Sequence, residues 1–181
     1  ELWCVEGLAR EINSKVFGKL KQYKLQPSQF LLKVDKKVLS VRPCITCFVA
    51  KNVNINDALL RQLIQLQEKL CENFGRKRKQ AALGIYDFDK IVWPITYTTK
   101  PPEFKFVPLD FDKELSLKQI LSRHEKGKQY GHLLEGFSEY PILIDNANNV
   151  LSMPPIINSA YTGKVTEQTK NLFVEVTGFS E

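Results

Sequence analysis

The residues of this chain best placed to do chemistry lie near its C-terminal end. Asn171 to Gly178 reads Asn-Leu-Phe-Val-Glu-Val-Thr-Gly. In a strand, Phe173, Glu175 and Thr177 share one face, and Leu172, Val174 and Val176 share the other. The second face is plainly core. The first combines a ring, a carboxylate and a hydroxyl, the makeup of a small polar-aromatic pocket. A carboxylate set among Phe and Val must be solvated or paired, and such placements often mark a site. Upstream, Leu151 to Ser159 is a strand that runs into Pro154 and Pro155, which have no N–H for a ladder and so stop or edge it. If the turn-rich stretch Asn146 to Asn149 is a hairpin loop, Asp145 faces Val150 and Leu143 lies directly opposite Ser152.

No protein nucleophile stands out. Ser152 lacks the surroundings of a nucleophile elbow, and neither histidine is tied to a serine or cysteine by sequence. His132 precedes Leu133-Leu134-Glu135-Gly136 and could face the pocket, although a lone His beside helical leucines is more often a surface or core-edge residue. His124 is expected in the last turn of a helix, where the dipole favours it. Cys44 and Cys47 form a C-x-x-C with no second pair or nearby His, and on a strand they point to opposite faces. Reduced thiols and no metal site are expected. Asp87 and Asp89 have no phosphate-binding glycines beside them and read as a solvated turn rather than a Mg²⁺ site. Arg76-Lys77-Arg78-Lys79 directly follows a predicted helix, whose dipole it complements.

The elements that must position these groups are legible in part. Glu6 to Asn13 is helix-like, and Val16 to Lys37 reads as a hairpin or a loose excursion. Val41 to Val53 is a strand candidate. Asn56 or Asp57 caps the clearest helix, with Leu59, Leu63, Leu66, Leu70 and Phe74 recurring at three and four and Gly75 ending it. Ala81 to Phe88 returns as a core strand. Ile91 to Phe111 reads as short strands joined by irregular turns. Ser116 opens a second helix through Leu117, Ile120 and Leu121, with Gly127 at its end, and a helical turn follows through Leu133, Leu134 and Phe137. Tyr140 to Asp145, Val150 to Met153 and Leu172 to Thr177 are strands. The alternation is too irregular for a doubly wound sheet. An α+β fold is expected, with a mixed or antiparallel sheet core (a layered sandwich or partly closed barrel) flanked by helices.

With 181 residues, 43% hydrophobic and 25% charged, the chain is a folded protein with a substantial core and not a disordered one. Its 26 basic and 20 acidic side chains give a net charge of +6, a weak preference for an anionic partner. It opens on Glu1, carries no bilayer-length apolar run and no signal-peptide pattern, and so reads as a fragment of a longer cytoplasmic chain.

Several short stretches, taken together, resemble a known family. They are Val5-Glu6-Gly7-Leu8, Arg42-Pro43, Leu66 to Leu70, Gly75-Arg76-Lys77-Arg78 and Gly84 to Asp89, then Thr96-Tyr97, Lys105 to Leu109 and Tyr140-Pro141. Their order is that of the editing region (the paired third and fourth domains) of the phenylalanyl-tRNA synthetase beta subunit in its archaeal and eukaryotic form. Only Ile12 to Ser40 is hard to place. The resemblance implies one editing domain over 1–181. It would hydrolyse tyrosine mischarged onto phenylalanine tRNA, alongside an alpha subunit in a heterotetramer. Leu143, Ser152, Glu175 and Thr177 align with the family's editing-pocket positions, with Glu175 where archaeal members often carry Asp. In this reading Glu175 accepts the tyrosine hydroxyl, Leu143 packs its ring, and Ser152 and Thr177 position the ester or a water, with Phe173 and His132 as further pocket residues. Arg76, Lys77, Arg78 and Lys79 become a tRNA backbone contact. No cofactor is expected in this domain, since the ATP and Mg²⁺ of the full synthetase belong to the other subunit. The alternative is a non-catalytic module that positions tRNA or braces the subunits.

Overall fold

Two open sheets face each other across a buried layer of aromatic and branched side chains, and helices cover their outer faces. The computed structural model describes residues 4–18 and 22–179. The chain runs through helix α1 (Val5–Phe17), strand β1 (Leu32–Val34), a 3-10 turn (Lys36–Ser40), β2 (Cys44–Ala50) and α2 (Asp57–Lys69). A π-helical turn (Leu70–Phe74) leads to β3 (Ala81–Asp87), β4 (Ile95–Lys100), β5 (Lys105–Phe106) and β6 (Leu115–Ser116). Helices α3 (Leu117–Arg123) and α4 (Glu125–Tyr130) and a 3-10 turn (Gly131–Leu134) precede β7 (Tyr140–Ile144), β8 (Val150–Met153), β9 (Ile157–Asn158) and β10 (Leu172–Gly178).

The larger sheet has the order β1-β4-β7-β8-β9, with β1 parallel to β4 and every other pair antiparallel. The smaller of the two facing sheets is the antiparallel triplet β2-β10-β3, and β5 and β6 form a separate antiparallel pair. This is the expected α+β sandwich, and among the described residues neither sheet closes into a barrel. Parity along β10 decides the layering. Phe173 points between the sheets to join Tyr86, Tyr97, Leu143 and Leu151, while Leu172 and Val174 point outward beneath Leu59, Leu60 and Leu63 of α2. On the far side, Leu117 and Ile120 of α3 and Tyr130 of α4 pack on Ile142, Val150 and Met153.

Local chemistry explains where the elements begin and end. Asn56 accepts from the Leu59 N–H to cap α2, and Ser116 and Gln119 form a reciprocal capping box at α3. The helix α1 runs a turn beyond its expected end, to a left-handed Gly18 at φ +63°. Of the two expectations for Val16 to Lys37, the described residues fit the loose excursion: 22–31 carry no helix or strand, and β1 pairs parallel with β4 rather than in a hairpin. Gly127 does not end the second helix. The chain breaks at His124, whose Nδ1 accepts from the Lys126 N–H to open α4 and whose Nε2 lies 3.0 Å from Leu109 O. Gly127 lies inside α4, where a Cβ would stand 2.0 Å from Ile120 O. In the β7–β8 hairpin Leu143 does oppose Ser152, but Asp145 does not face Val150. A register shift pairs Ile144 with Val150, and the Asp145 N–H donates to Asn149 O.

Candidate functional site

The sheets, α2 and the β8–β9 turn border a partly open cavity of about 330 Å³. Leu60 and Leu63 of α2, Leu83 and Ile85 of β3, and Met153 and Ile156 give it largely apolar walls. Glu68, Arg78 and Lys126 are charged residues in the same lining, and Lys126 Nζ lies 3.0 Å from Glu68 Oε1. Pro154 and Pro155, joined by a cis peptide bond, close the β8 end.

Glu175 lines this cavity from the central strand of the smaller sheet, flanked in register by Gly84 on β3 and Cys47 on β2. It is 3% exposed. Oε1 accepts a 3.0 Å hydrogen bond from the Tyr86 hydroxyl, whereas Oε2 is buried with no hydrogen-bond partner among the described residues. Burial raises the carboxyl pKa to about 7, and the Tyr86 hydrogen bond and the Arg42 charge pull against that rise. A buried carboxylate oxygen without a donor is costly and points to a group that supplies one.

Tyr86 also lies 2.8 Å from Ser152 Oγ. A phenol has one proton, so donation to the carboxylate leaves its oxygen to accept from Ser152. The triad Ser152–Tyr86–Glu175 thus spans both sheets. Gly84 makes it possible: a Cβ there would stand 2.3 Å from the Tyr86 hydroxyl and 2.5 Å from Glu175 Oε1.

Arg42, 2% exposed, supports the site from the segment before β2. Its Nε donates to Thr177 Oγ1 at 2.9 Å, and its Nη2 donates to the carbonyls of Thr177 at 2.7 Å and Arg78 at 3.2 Å. Its own carbonyl accepts from Tyr97 Oη. Burial lowers the guanidinium pKa, and the nearby negative charge of Glu175 is among the groups that raise it. The two therefore offset each other inside the fold.

The structure brings some of the sequence-derived site residues together and separates others. Ser152 and Glu175 line the cavity. Leu143 and Phe173 do not. Both are fully buried in the layer behind Tyr86, whose ring centroid lies 5.6 Å from that of Phe173. Thr177 is likewise fully buried, and its hydroxyl is engaged by Arg42. His132 is exposed on a 3-10 turn and is not part of the cavity lining.

The basic run is also divided. Gly75 ends the helical stretch, but at φ −71° rather than in the left-handed region. A Cβ there would meet Ala81 O at 2.1 Å. Arg76, Lys77 and Arg78 instead take left-handed φ values of 48°, 55° and 65°. Arg76, Lys77 and Lys79 are exposed. Arg78 turns inward, donating from Nη1 to the carbonyls of Pro155 and Ile156 and stacking 4.4 Å from the Tyr130 ring centroid. It lines the cavity rather than the basic outer surface.

Tyr86 and Arg42 were not identified from the sequence. Tyr86 lay in plain view as the residue two beyond a strand glycine, a position where a side chain can lean back over the gap. Asp87 and Asp89 form a turn as expected: Asp87 accepts from the Asp89 N–H, and Asp89 accepts from Asn171. Among the described residues no cluster of His, Cys, Asp and Glu is suited to hold a metal ion, and no helix is long and apolar enough to cross a membrane.

Residues 26–181 match the family model of the B3/4 domain. The chain is 46% identical over 181 residues to the phenylalanine–tRNA ligase beta subunit of Thermococcus kodakarensis, covering 99% of this chain and 32% of that protein. It is 45% identical over 185 residues to the same subunit of Borreliella afzelii, covering 98% and 33% respectively. It thus spans about a third of the length of these curated relatives. A crystal structure of an N-terminal fragment of the phenylalanyl-tRNA synthetase beta subunit from Pyrococcus horikoshii superposes with a TM-score of 0.94 at 45% identity, covering 99% of this chain and 52% of that one.

Proposed function

Since the chain belongs to the B3/4 domain family, we propose that it is an editing domain, one unit over 1–181, of a phenylalanine–tRNA ligase beta subunit. Its reaction is hydrolysis of tyrosine mischarged onto phenylalanine tRNA. The observation that carries this reading is Glu175 itself: it lines an otherwise largely apolar cavity and has a buried Oε2 with no hydrogen-bond partner among the described residues. A synthetic site shaped for phenylalanine rejects tyrosine weakly, because tyrosine adds only a hydroxyl. A second site built around a buried acceptor sorts in the opposite sense. The tyrosine hydroxyl donates to Oε2, while phenylalanine leaves that oxygen desolvated and unpaired. A hydrogen bond to a charged group is worth about 1.5–3 kcal/mol, or roughly 10- to 150-fold in selectivity.

The apolar walls receive the ring, with Met153 and Ile156 in the contact role and Leu143 and Phe173 as the layer behind them. Water adds to the ester carbonyl carbon, the bond from that carbon to the ribose oxygen breaks, and a proton passes to the departing ribose oxygen. Free tyrosine and uncharged tRNA result. An activated ester needs little beyond an oriented water and oxyanion support. Ser152 serves the site through Tyr86, and Thr177 serves it by fixing Arg42. The reaction requires no cofactor in this domain; ATP and Mg²⁺ belong to aminoacylation by the whole synthetase. Arg76, Lys77 and Lys79 offer exposed charge to the tRNA backbone, and the remaining partner is the synthetase alpha subunit in a cytoplasmic heterotetramer.

The test is ester loss from tyrosyl- and phenylalanyl-charged phenylalanine tRNA, with Glu175→Ala beside the unaltered protein. Selective loss of the tyrosyl ester that disappears in the variant supports editing. Equal rates in the two proteins, with both folded and binding tRNA, refute it. A second reading, a non-catalytic module that positions tRNA or braces the subunits, draws on α1. None of its residues is buried, and Val5, Leu8, Ile12 and Val16 expose an apolar stripe suited to packing on a neighbour.

A further inference from the structure

We propose that Tyr86 is the positioning residue that sets the selectivity of this site. By occupying one oxygen of Glu175, it leaves the other as the single acceptor offered to a substrate phenol. The inference rests on the editing reading and deepens it.

Two facts separate this role from simple packing. A phenylalanine at position 86 would fill the layer against Phe173 and Leu143 equally well, so packing does not require the hydroxyl. Yet the hydroxyl is completely buried and sits within hydrogen-bonding distance of both Ser152 and Glu175. The strand also gives up a side chain at Gly84, where a Cβ would collide with that hydroxyl and with Glu175 Oε1. Backbone and side chain on β3 are thus both arranged around one hydrogen bond to the carboxylate.

The consequence for recognition follows from counting donors. Tyr86 holds the ionised carboxylate at Oε1, while Oε2 is buried with no hydrogen-bond partner among the described residues, on a residue that lines the cavity. A bound tyrosine completes the pair of phenol donors, one on each oxygen. A bound phenylalanine leaves Oε2 bare. Without the Tyr86 hydroxyl, Oε1 is unpaired as well, and the carboxyl keeps its proton to higher pH. A neutral acid penalises phenylalanine far less than an unpaired charge, so discrimination falls. The groups facing Glu175 are Tyr86 from β3, Arg42 from before β2, Cys47 of β2, Cys71 of the π turn and Tyr97 of β4. Among the described residues only Tyr86 donates a hydrogen bond to it. The phenol itself stays protonated, since burial and then the negative charge of Glu175 hold its pKa well above the ordinary value.

The experiment compares Tyr86→Phe with the unaltered protein in two readouts. First, the titration of Glu175 is followed by carbon NMR of carboxyl-labelled glutamate, assigned with Glu175→Gln. Loss of one charge-assisted hydrogen bond should raise its midpoint by about one pH unit or more. Second, the ratio of tyrosyl to phenylalanyl ester hydrolysis at pH 7.5 should fall about tenfold or more, the fold-change equivalent of that lost bond. An unmoved midpoint overturns the proposal, because Tyr86 then does not hold the carboxylate. A raised midpoint with unchanged selectivity also overturns it. If the unaltered protein shows no tyrosyl preference at all, the editing reading fails and the selectivity claim with it. The NMR midpoint still decides separately whether Tyr86 positions Glu175.

Discussion

Replacing Glu175 with glutamine should stabilise the protein at pH 8 and leave it little changed at pH 4.5. The carboxyl is 3% exposed and carries a pKa of about 7 in the fold, against an ordinary value of 4.5. Below pH 4.5 it is protonated in both the folded and unfolded chain, and its burial costs nothing extra. Between pH 4.5 and 7 the unfolded chain ionises while the folded one holds its proton, so stability drains away as pH rises. Above pH 7 both are ionised, and the full cost of a buried charge is present. At 1.36 kcal/mol for each pH unit, the difference is about 3 kcal/mol. Glutamine does not titrate, so the advantage of Glu175→Gln over the unaltered protein should grow by about that amount from pH 4.5 to pH 8. In a domain of this size, that corresponds to roughly 6–12 °C in melting temperature. Any constant effect of the amide on packing or hydrogen bonding cancels when the two pH values are compared. Chemical denaturation of both proteins across this range is the assay. A difference that stays flat would show that Glu175 ionises at an ordinary pH, and the reasoning from an unpaired buried oxygen would collapse.

Other expected outcomes test the surrounding parts. Gly84→Ala places a methyl 2.3 Å from the Tyr86 hydroxyl and 2.5 Å from Glu175 Oε1, and should cost about 1–3 kcal/mol in denaturant unfolding. Arg42→Met leaves the carbonyl of Thr177 without its 2.7 Å donor and should cost at least about 2 kcal/mol. It should also raise the Glu175 titration midpoint further, since Arg42 is one of the groups holding it down. Removing the charges of Arg76, Lys77 and Lys79 together should weaken tRNA binding and reduce its logarithmic salt dependence by about 2–3, with thermal stability unchanged. Arg78→Ala should instead lower stability, because its guanidinium ties Pro155 and Ile156 to the helical side of the cavity.

What the sequence disclosed depended on how local the cause was. The faces of β10 follow from strand parity alone, and α2 from leucines at helical spacing, so both were legible. The Leu143–Ser152 pairing was legible too, although the loop that was supposed to set it is not the loop that forms. The bulge between Leu143 and Ile144 absorbs the difference. Features set by distant partners were hidden. Arg42 is buried with two of its three acceptors supplied by Thr177, 135 positions away. Arg78 leaves the basic run because two carbonyls of the β8–β9 turn capture it. His124 both closes α3 as its C-cap and opens α4, with Leu109 O beside its ring. Thr177 shares a face with Glu175, as parity requires, yet its hydroxyl serves Arg42 and not the cavity. Face-sharing locates a residue on a sheet; which neighbour takes its polar atom is settled by packing in three dimensions.

The most direct test of the central claim is a structure of the protein with a non-hydrolysable tyrosyl ester mimic, an adenosine carrying tyrosine through an amide at its 3′ position. The tyrosine ring is expected to enter the cavity between α2 and the β8–β9 turn. Its hydroxyl should donate to Glu175 Oε2 while Tyr86 remains on Oε1. A ring bound elsewhere, or a hydroxyl that makes no contact with Glu175, would contradict it.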